Sequence, residues 1–398
     1  MSKFDYTILR TRLSDSTVCT GIGVGTGPSA ATCLGADDPR GVAVYGDISS
    51  SASSDEKSVG QTWSDPAVGQ AVNASGKFMV IAGSGFLPYT QQQAANRGGT
   101  AAGTTLYLLD AETGAVDASK DVGNDGQAET VDNCAATAVN NCQIMKNALH
   151  ADPVATGPPD SRYVDKVYIG DLDGKVWRFN IRTDSSGVPS FTGNPTMLYN
   201  ASLSGGHGNS KKAGSSQPIF SSMASVTIGG GTQQYIFFGT GSDLLPSNGV
   251  SQAYQLLAFL DDGTTGVEKF ARNLTAVANS TADEEKVTSF PAVAGDIVFF
   301  TTTTFHPQTP CVQPDANLYA LTYTGGPAYD TTGDGTVTGA DSVKAKTVTG
   351  ARATAPFVVD QHLFFSAGNK AEMFGDPDDY NNGVGQVGVR ILSWREVR

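Results

Sequence analysis

The sequence predicts an all-β protein of the β-propeller class with long loop insertions, on three observations: its composition, a recurring proline-led strand unit and a tight-hairpin signature. Of 398 residues, 47 are glycine, 18 are proline and 16% are charged, a composition that suits strands and turns better than helices. Long runs of Ala, Leu, Glu and Lys at helical spacing are missing. The chain is long for one ordinary domain, but single propellers reach this size.

The recurring unit is a proline followed by small or apolar residues, then a run of β-branched and aromatic residues that often closes on glycine. It reads SDPAV before FMVIAGSG, ADPVA before VYIGDL, QPIF before YIFFGTG, FPAV before IVFFTTT, and APFVV before HLFFSAG. The prolines are Pro66, Pro153, Pro218, Pro291 and Pro356. Their spacing is roughly 65 to 90 residues, against about 40 to 50 for compact propeller blades, so insertions must separate the strands. Further strands follow the units: TTLYLLD, KVWRFNI, AYQLLAF and NLYALTY. Sheets repeated in this way bury their apolar faces against one another and hide most edges when arranged radially.

Within YIGDLDGKVWRFNI the pair Asp173–Gly174 separates two alternating runs, which predicts a tight two-residue hairpin turn. Trp177, Phe179 and Ile181 then share one face, with Arg178 and Asn180 on the other. LYLLDAETGAV predicts a looser hairpin turned by Asp110 to Gly114. Segments 16–40, 49–62, 88–104, 122–145 and 200–216 are rich in Gly, Ser, Ala and Asn without periodicity and read as surface loops.

The formal charge of −13 and pI of about 4.7 argue against phosphate backbones or anionic lipid as partners. The five cysteines, Cys19, Cys33, Cys134, Cys142 and Cys311, form no C-x-x-C pair, so zinc ribbons and thioredoxin-type sites lack their spacing. Cys19 with Cys33 and Cys134 with Cys142 bracket loops of the kind that short disulfides pin in an oxidising compartment, the alternative being unpaired thiols. Cys311 is left over, either free or paired outside this chain. No run approaches the ~18 apolar residues of a membrane span, and MSKFDYTILRTRLSDS has no apolar signal core. The cysteines and the acidic loop described next point to an extracytoplasmic protein, with an export signal expected upstream. Residues 1–40 are expected to be an irregular N-terminal segment, pinned if Cys19 and Cys33 pair, and residues 41–398 the propeller domain.

Residues 329–341 read YDTTGDGTVTGAD. A twelve-residue loop can wrap a hard divalent cation when oxygen ligands alternate and a glycine at the sixth position permits a sharp bend. Here Asp330 is first, Thr332 third, Asp334 fifth, Gly335 sixth, Thr336 seventh through its carbonyl, and Asp341 twelfth, with Val337 as the apolar anchor. The loop departs from the strict pattern at Thr332, which replaces Asp or Asn, and at Asp341, which replaces Glu. Carboxylates crowded without a cation raise one another's pKa or push the loop open, and bound calcium reverses that sign. The bland alternative is a solvated Asp/Gly turn. A second stretch, Asp121 to Asp132, lacks the third ligand and the anchor at Gly123 and Ala128, and reads as an acidic surface loop with calcium as the lesser alternative.

Nothing nominates a catalytic group. His150, His207, His306 and His362 are scattered without an H-x-x-x-H or H-E-x-x-H cluster, and no G-x-S-x-G elbow or Walker loop occurs. The expected role is therefore binding, without catalysis.

GQTWSDPAV, FMVIAGSGF with TTLYLLDAETG, VYIGDLDGKVWRFNI, YIFFGTGSDLL, NLYALTYTGG and AYDTTGDGTVTGAD together resemble, in order, the C-terminal domain of PilC/PilY-type proteins of type IV pili. The resemblance runs over about residues 40 to 370, with GDLDGKVWRFN and the acidic loop as its most specific parts. It implies a quinoprotein-like propeller of seven modified blades that binds calcium. It also implies action at the pilus tip, cell surface or outer membrane in adhesion, pilus assembly and twitching motility, with minor pilins, other tip subunits and host or abiotic surfaces as partners. One departure is clear. Many relatives carry a nine-residue calcium loop just before the GDL strand, and this chain reads ATGPPDSRYVDKVYIGDL there, keeping Asp165 without the spaced ligands. LYLLDAETG and NLYALT also resemble repeats of pyrroloquinoline quinone dehydrogenases, the alternative function. The docking tryptophans and adjacent cysteines of those enzymes are missing, with only Trp63, Trp177 and Trp394 in the chain.

Overall fold

The runs of alternating and β-branched apolar residues that follow the proline-led units become strands, and four of the five units themselves supply a short strand. The computed structural model describes residues 64–72, 77–85, 103–122, 148–158, 161–203, 217–228, 233–241, 253–274, 283–306, 311–359, 362–368 and 370–374, with the single positions 62, 206 and 309. Residues 1–40, the cysteines at 19, 33, 134 and 142, His207 and most of the stretch from Asp121 to Asp132 lie outside this set. Among the described residues there is no α-helix, and none long and apolar enough to cross a membrane. Two compact units divide the chain, Met1–Leu198 and Tyr199–Arg398.

The first unit contains β1 (Ala67–Ala71), β2 (Phe78–Gly83), β3 (Thr105–Asp110), β4 (Val116–Asp121), β5 (Val154–Thr156), β6 (Tyr163–Val164), β7 (Lys166–Gly170), β8 (Lys175–Thr183) and β9 (Pro189–Phe191). β10 (Thr196–Asn200) begins in it. One sheet has the order β4-β3-β2-β1-β6, and the other β10-β8-β7-β5 with β9 against β8. Between them lies a core that includes Met79, Ile81, Leu106, Leu108, Ile169, Trp177, Phe179 and Ile181. The expected shared face of Trp177, Phe179 and Ile181 is thus the buried one.

The second unit contains β11 (Ala224–Ile228), β12 (Gln233–Gly239), β13 (Gln255–Asp261), β14 (Gly266–Asn273), β15 (Glu284–Val287), β16 (Ala292–Ala294) and β17 (Ile297–Phe305). β18 (Asp315–Thr322), β19 (Lys344–Val348), β20 (Phe357–Val359), β21 (His362–Ala367) and β22 (Lys370–Phe374) complete it. They form sheets β11-β12-β13-β14, β15-β17-β18-β19 with β16 against β17, and β20-β21-β22.

Four of the five repeat prolines stand directly before a short strand: Pro66 before β1, Pro153 before β5, Pro291 before β16 and Pro356 before β20. A residue without an N–H is tolerated at a strand's first position, where no ladder bond is required of it. Pro218 differs, because the following Ile219 makes only an isolated bridge to Gly241. The glycines that close two of the repeat runs are explained by close approach. A Cβ on Gly83 would come within 2.3 Å of the Leu149 carbonyl oxygen, and one on Gly239 within 2.3 Å of the Val287 side chain.

Three sheets end alike: β3 to β4, β13 to β14 and β18 to β19 each carry a register shift, at Leu108/Leu109, Ala258/Phe259 and Leu318/Tyr319. Bulges of this kind increase local twist and blunt an outer strand against pairing with foreign chains. β17 is unusual in composition. Thr301, Thr302 and Thr303 are buried on both its faces, and each hydroxyl has a partner: the Thr354 carbonyl at 2.6 Å, Glu285 Oε1 at 2.5 Å and the Thr288 hydroxyl at 3.3 Å.

The hairpin expected at Asp173–Gly174 forms, but with a wider turn. Asp171 and Lys175 close it, with the Asp171 N–H donating to the Lys175 carbonyl at 2.9 Å, so three residues make the loop. The cause is the Asp171 carboxylate, which is fully buried. Its Oδ1 accepts the N–H groups of Asp173 (2.9 Å) and Lys175 (2.8 Å), and Oδ2 accepts the Trp177 indole N–H (2.8 Å). Gly174 takes the left-handed conformation, φ +92°, that such a three-residue loop requires. The buried Lys175 ammonium sits 2.8 Å from Asp173 Oδ2. Burial dominates and pushes the Asp171 carboxyl upward, against the pull of Lys175, Trp177 and the turn amides. The looser turn after β3 forms as expected, with Gly114 at φ +71° and Asp110 Oδ1 accepting from Glu112 and Thr113 at 2.8 and 2.9 Å.

Asp171→Ala would strand two turn amides and the indole N–H and leave Lys175 with less buried negative charge nearby. The expected loss is about 3–5 kcal/mol of unfolding free energy, measured by urea denaturation against the parent chain. A loss below about 1 kcal/mol would show that the turn does not depend on this carboxylate.

Candidate metal centre

The acidic loop lies between β18 and β19, and both of its ends are fixed by packing. On the entering side Ala328 and Tyr329 are buried in a core cluster with Phe299, Leu363, Phe365 and Phe374. The Tyr329 ring meets Phe374 edge-on at 5.1 Å. On the leaving side the Val343 carbonyl accepts the Ala320 N–H at 2.9 Å, continuing the β18–β19 ladder. The Ser342 N–H donates back to the Thr331 hydroxyl at 2.6 Å, which closes the loop at its neck.

Inside the neck two carboxylates are buried, Asp330 and Asp341. Asp330 Oδ1 accepts from the Gly333 N–H at 2.6 Å and the Thr332 hydroxyl at 3.1 Å, and Oδ2 from the Gly335 N–H at 2.7 Å. Asp341 Oδ1 accepts from the N–H groups of Thr331 and Thr332 at 2.7 and 3.0 Å, and Oδ2 from the Thr338 N–H at 2.7 Å. Thr332 therefore links the two acids, through its hydroxyl to one and its amide to the other. Gly333 and Gly335 are at φ +76° and +86°, where L side chains are strained, and nothing would touch a Cβ on either. The sixth-position glycine thus makes the bend expected of it.

Asp334, Thr332 and Thr336 are exposed and Val337 is half-buried. Asp334 Oδ1 accepts from the Thr336 N–H and hydroxyl at 2.9 and 2.8 Å. The structure thus gathers Asp330, Thr332 and Asp341 at the neck and places Asp334 and Thr336 on the rim. Among the described residues no three His, Cys, Asp or Glu side chains converge as a group that could hold a metal ion. Asp341, expected as the twelfth ligand, here spans the loop as a clasp between residues 331–332 and 338.

The donor set still suits a hard cation in kind, being all oxygen: the Asp330 and Asp334 carboxylates, the Thr332 hydroxyl and the Thr336 carbonyl. Desolvation is the largest single influence on Asp330 and raises its pKa, but the amides of Gly335 and Gly333 and the Thr332 hydroxyl together outweigh it and hold the acid below its ordinary value. For Asp341 the Thr338 amide leads, desolvation opposes, and the amides of Thr332 and Thr331 bring the acid down to about 2. Both acids are therefore held ionised, the state a cation needs.

The sequence reading missed a second cluster of buried charge, on β15. Glu284, Glu285 and Lys286 are all buried. Lys286 Nζ is 3.0 Å from Glu284 Oε2, and Glu285 Oε1 accepts from Thr302 (2.5 Å), Asn317 (3.0 Å) and Tyr319 (2.7 Å). Its signal was present as four successive charged residues, Asp283 to Lys286, just upstream of the Pro291 unit. Cys311 is exposed and forms no disulfide among the described residues.

Because Asp341 is depressed, the order it gives the loop is complete above the ordinary carboxylate value of 3.8 and is lost as pH falls towards about 2. Backbone amide resonances of Thr331, Thr332 and Thr338 are expected to titrate together in that window. Titration at or above 3.8 would show that these bonds do not form in solution.

No family model matches the chain, and no curated protein matches it. Among solved structures, the chain is similar to the crystal structure of the PilY1 C-terminal domain of Pseudomonas aeruginosa, with a TM-score of 0.50 and 15% identity over 81% of this chain and 73% of that one. The β-propeller domain of Cps50 (Swd1) from Myceliophteria thermophila aligns over 78% of this chain and 82% of its own at 8% identity, with a TM-score of 0.26, too low to carry weight. The first likeness, at its level of identity, concerns fold alone. The chain is all-β, of the expected propeller class and folded like the PilY1 C-terminal domain, while the described sheets do not fix the number of blades.

Proposed function

We propose that this chain is an extracytoplasmic, pilus-associated binding domain whose loop from Asp330 to Asp341 takes up calcium. The observation that carries the reading is the likeness in fold to the PilY1 C-terminal domain over 81% of the chain. The ordered motifs from GQTWSDPAV to AYDTTGDGTVTGAD support it from the sequence side. Its place is the pilus tip, cell surface or outer membrane, and its role lies in adhesion, pilus assembly and twitching motility. Its partners are minor pilins or other tip subunits and a host or abiotic surface.

In this reading Asp330, Thr332, Asp334 and the Thr336 carbonyl hold the ion, and Asp341 keeps the loop closed around them. Calcium neutralises the clustered acids and stiffens the surface between β18 and β19. The loop supplies two carboxylates in place of the fuller acidic set of intracellular sensors, so the affinity is modest, roughly 10⁻⁴ M or tighter, which suffices outside a cell. No reaction is assigned to the domain.

Titration calorimetry of the chain is expected to show one calcium site of about that strength, abolished by Asp334→Ala. Absence of heat from the parent chain, with no calcium-dependent rise in its melting temperature, would remove the metal from the proposal. Pili sheared from the source cells are expected to carry the chain, and its recovery in the cytoplasm alone would overturn the pilus assignment. Incubation with pyrroloquinoline quinone and calcium is expected to give no dye reduction with alcohols or aldoses. Turnover there would replace binding by catalysis.

A further inference from the structure

His306, at the end of β17, sits between two carboxylates on different strands. Its Nδ1 is 2.9 Å from Asp283 Oδ1, just ahead of β15, and its Nε2 is 3.3 Å from Asp315 Oδ2, at the start of β18. Asp315 Oδ1 in turn accepts the Gly350 N–H at 3.0 Å, just beyond β19. One imidazole therefore ties together the same end of β15, β17 and β18, and Asp315 carries the link on to the residue just beyond β19. The acids lie on opposite ring nitrogens, so they cannot share one metal ion with the ring. Both contacts require an N–H, and only the imidazolium has two.

The strand held in this way is the one with most to lose from opening. Among the described strands β15 lies at the sheet edge and pairs with β17 alone, and it buries Glu284, Glu285 and Lys286 within its four residues. The charged groups that act on the imidazole are Asp283 and Asp315. Those nearby on the same sheet gather on the preceding residue, Phe305, with Glu284 opposite it in the ladder, Lys286, the partner of Glu284, 5.6 Å from its ring centre and Arg352 6.0 Å from it.

We propose that Asp283, His306 and Asp315 form a proton-operated clasp that fastens β15 to β17 and β18, and that loss of the imidazolium proton releases the start of β15. When the proton leaves, one nitrogen lone pair faces a carboxylate, and one of the two contacts turns from attraction to repulsion. The hydrogen bond to Asp283 is the main influence that holds the imidazolium above its ordinary value of 6.5; burial opposes it, and the charges of Asp283 and Asp315 add to it. The sign follows from linkage: with the folded value raised, the clasp's full contribution is present below about 6.5 and is lost as pH rises through the folded value.

Hydrogen exchange of the full chain, corrected for intrinsic rates, tests this. Protection of residues 283–287 is expected to be flat below about pH 6.5 and then to fall by up to about tenfold per pH unit until the folded value is passed. His306→Gln is expected to remove that pH dependence while protection in the first unit is unchanged. Asp283→Asn, at an exposed acid, is expected to weaken it and gives the same readout should His306→Gln fold poorly. Protection independent of pH in the parent chain would overturn the clasp. So would an unchanged fall in either variant, or a His306 ring resonance that titrates at or below 6.5.

Discussion

An aspartate that accepts the backbone N–H groups of its own turn is the interaction on which this structure depends most widely. Asp110, Asp171, Asp184 and Asp262 each take two such bonds at strand ends, from residues two to four positions on. A sheet protein must reverse its chain many times, and each reversal leaves amides without a ladder partner. Here the carboxylate supplies the missing acceptor at the cost of one negative charge per turn. The acidic balance of the chain, −13 overall, accordingly has part of its origin in architecture.

The loop between β18 and β19 is the same device enlarged. Asp330 gathers Gly333 and Gly335, while Asp341 gathers Thr331, Thr332 and Thr338. Peptide dipoles aimed at a carboxylate do part of what a cation would do, since both stabilise its ionised form. The two roles are compatible because a carboxylate has about four acceptor directions, and the three bonds to Asp330 do not exhaust them. Calcium uptake and turn closure thus draw on one set of residues, and this links the proposed function to a fold that needs those residues in any case.

Most strands were legible because their cause is local. Alternation in KVWRFNI, β-branched and aromatic runs in IVFFTTT and HLFFSAG, and a proline directly ahead of β1, β5, β16 and β20 are properties of a few neighbouring residues. The hairpin at Asp173 was legible as a hairpin but not in its width, because the width is set by the Asp171 carboxylate in three dimensions. β15 was not legible, since Glu and Lys are depleted in strands and the partners that make their burial tolerable, Thr302, Asn317, Tyr319 and Tyr254, are distant in sequence. Within the acidic loop the bend at Gly335 was readable from spacing. The use of Asp341 as a clasp was not, because it depends on which amides the folded neck presents.

The threonine run of β17 alters how that strand finds its place. A strand normally locates its partners by alternating apolar and polar side chains, so that sliding by one step turns greasy residues towards water. Four adjacent identical residues erase that alternation over the middle of β17. What remains is a set of addresses: the Thr301 hydroxyl donates to the Thr354 carbonyl, that of Thr302 donates to Glu285, that of Thr303 pairs with the Thr288 hydroxyl, and that of Thr304 accepts from the Asn317 side-chain amide. Drift towards valine would conserve shape and add apolar burial, yet it would delete the addresses and leave the strand free to settle one notch out of place.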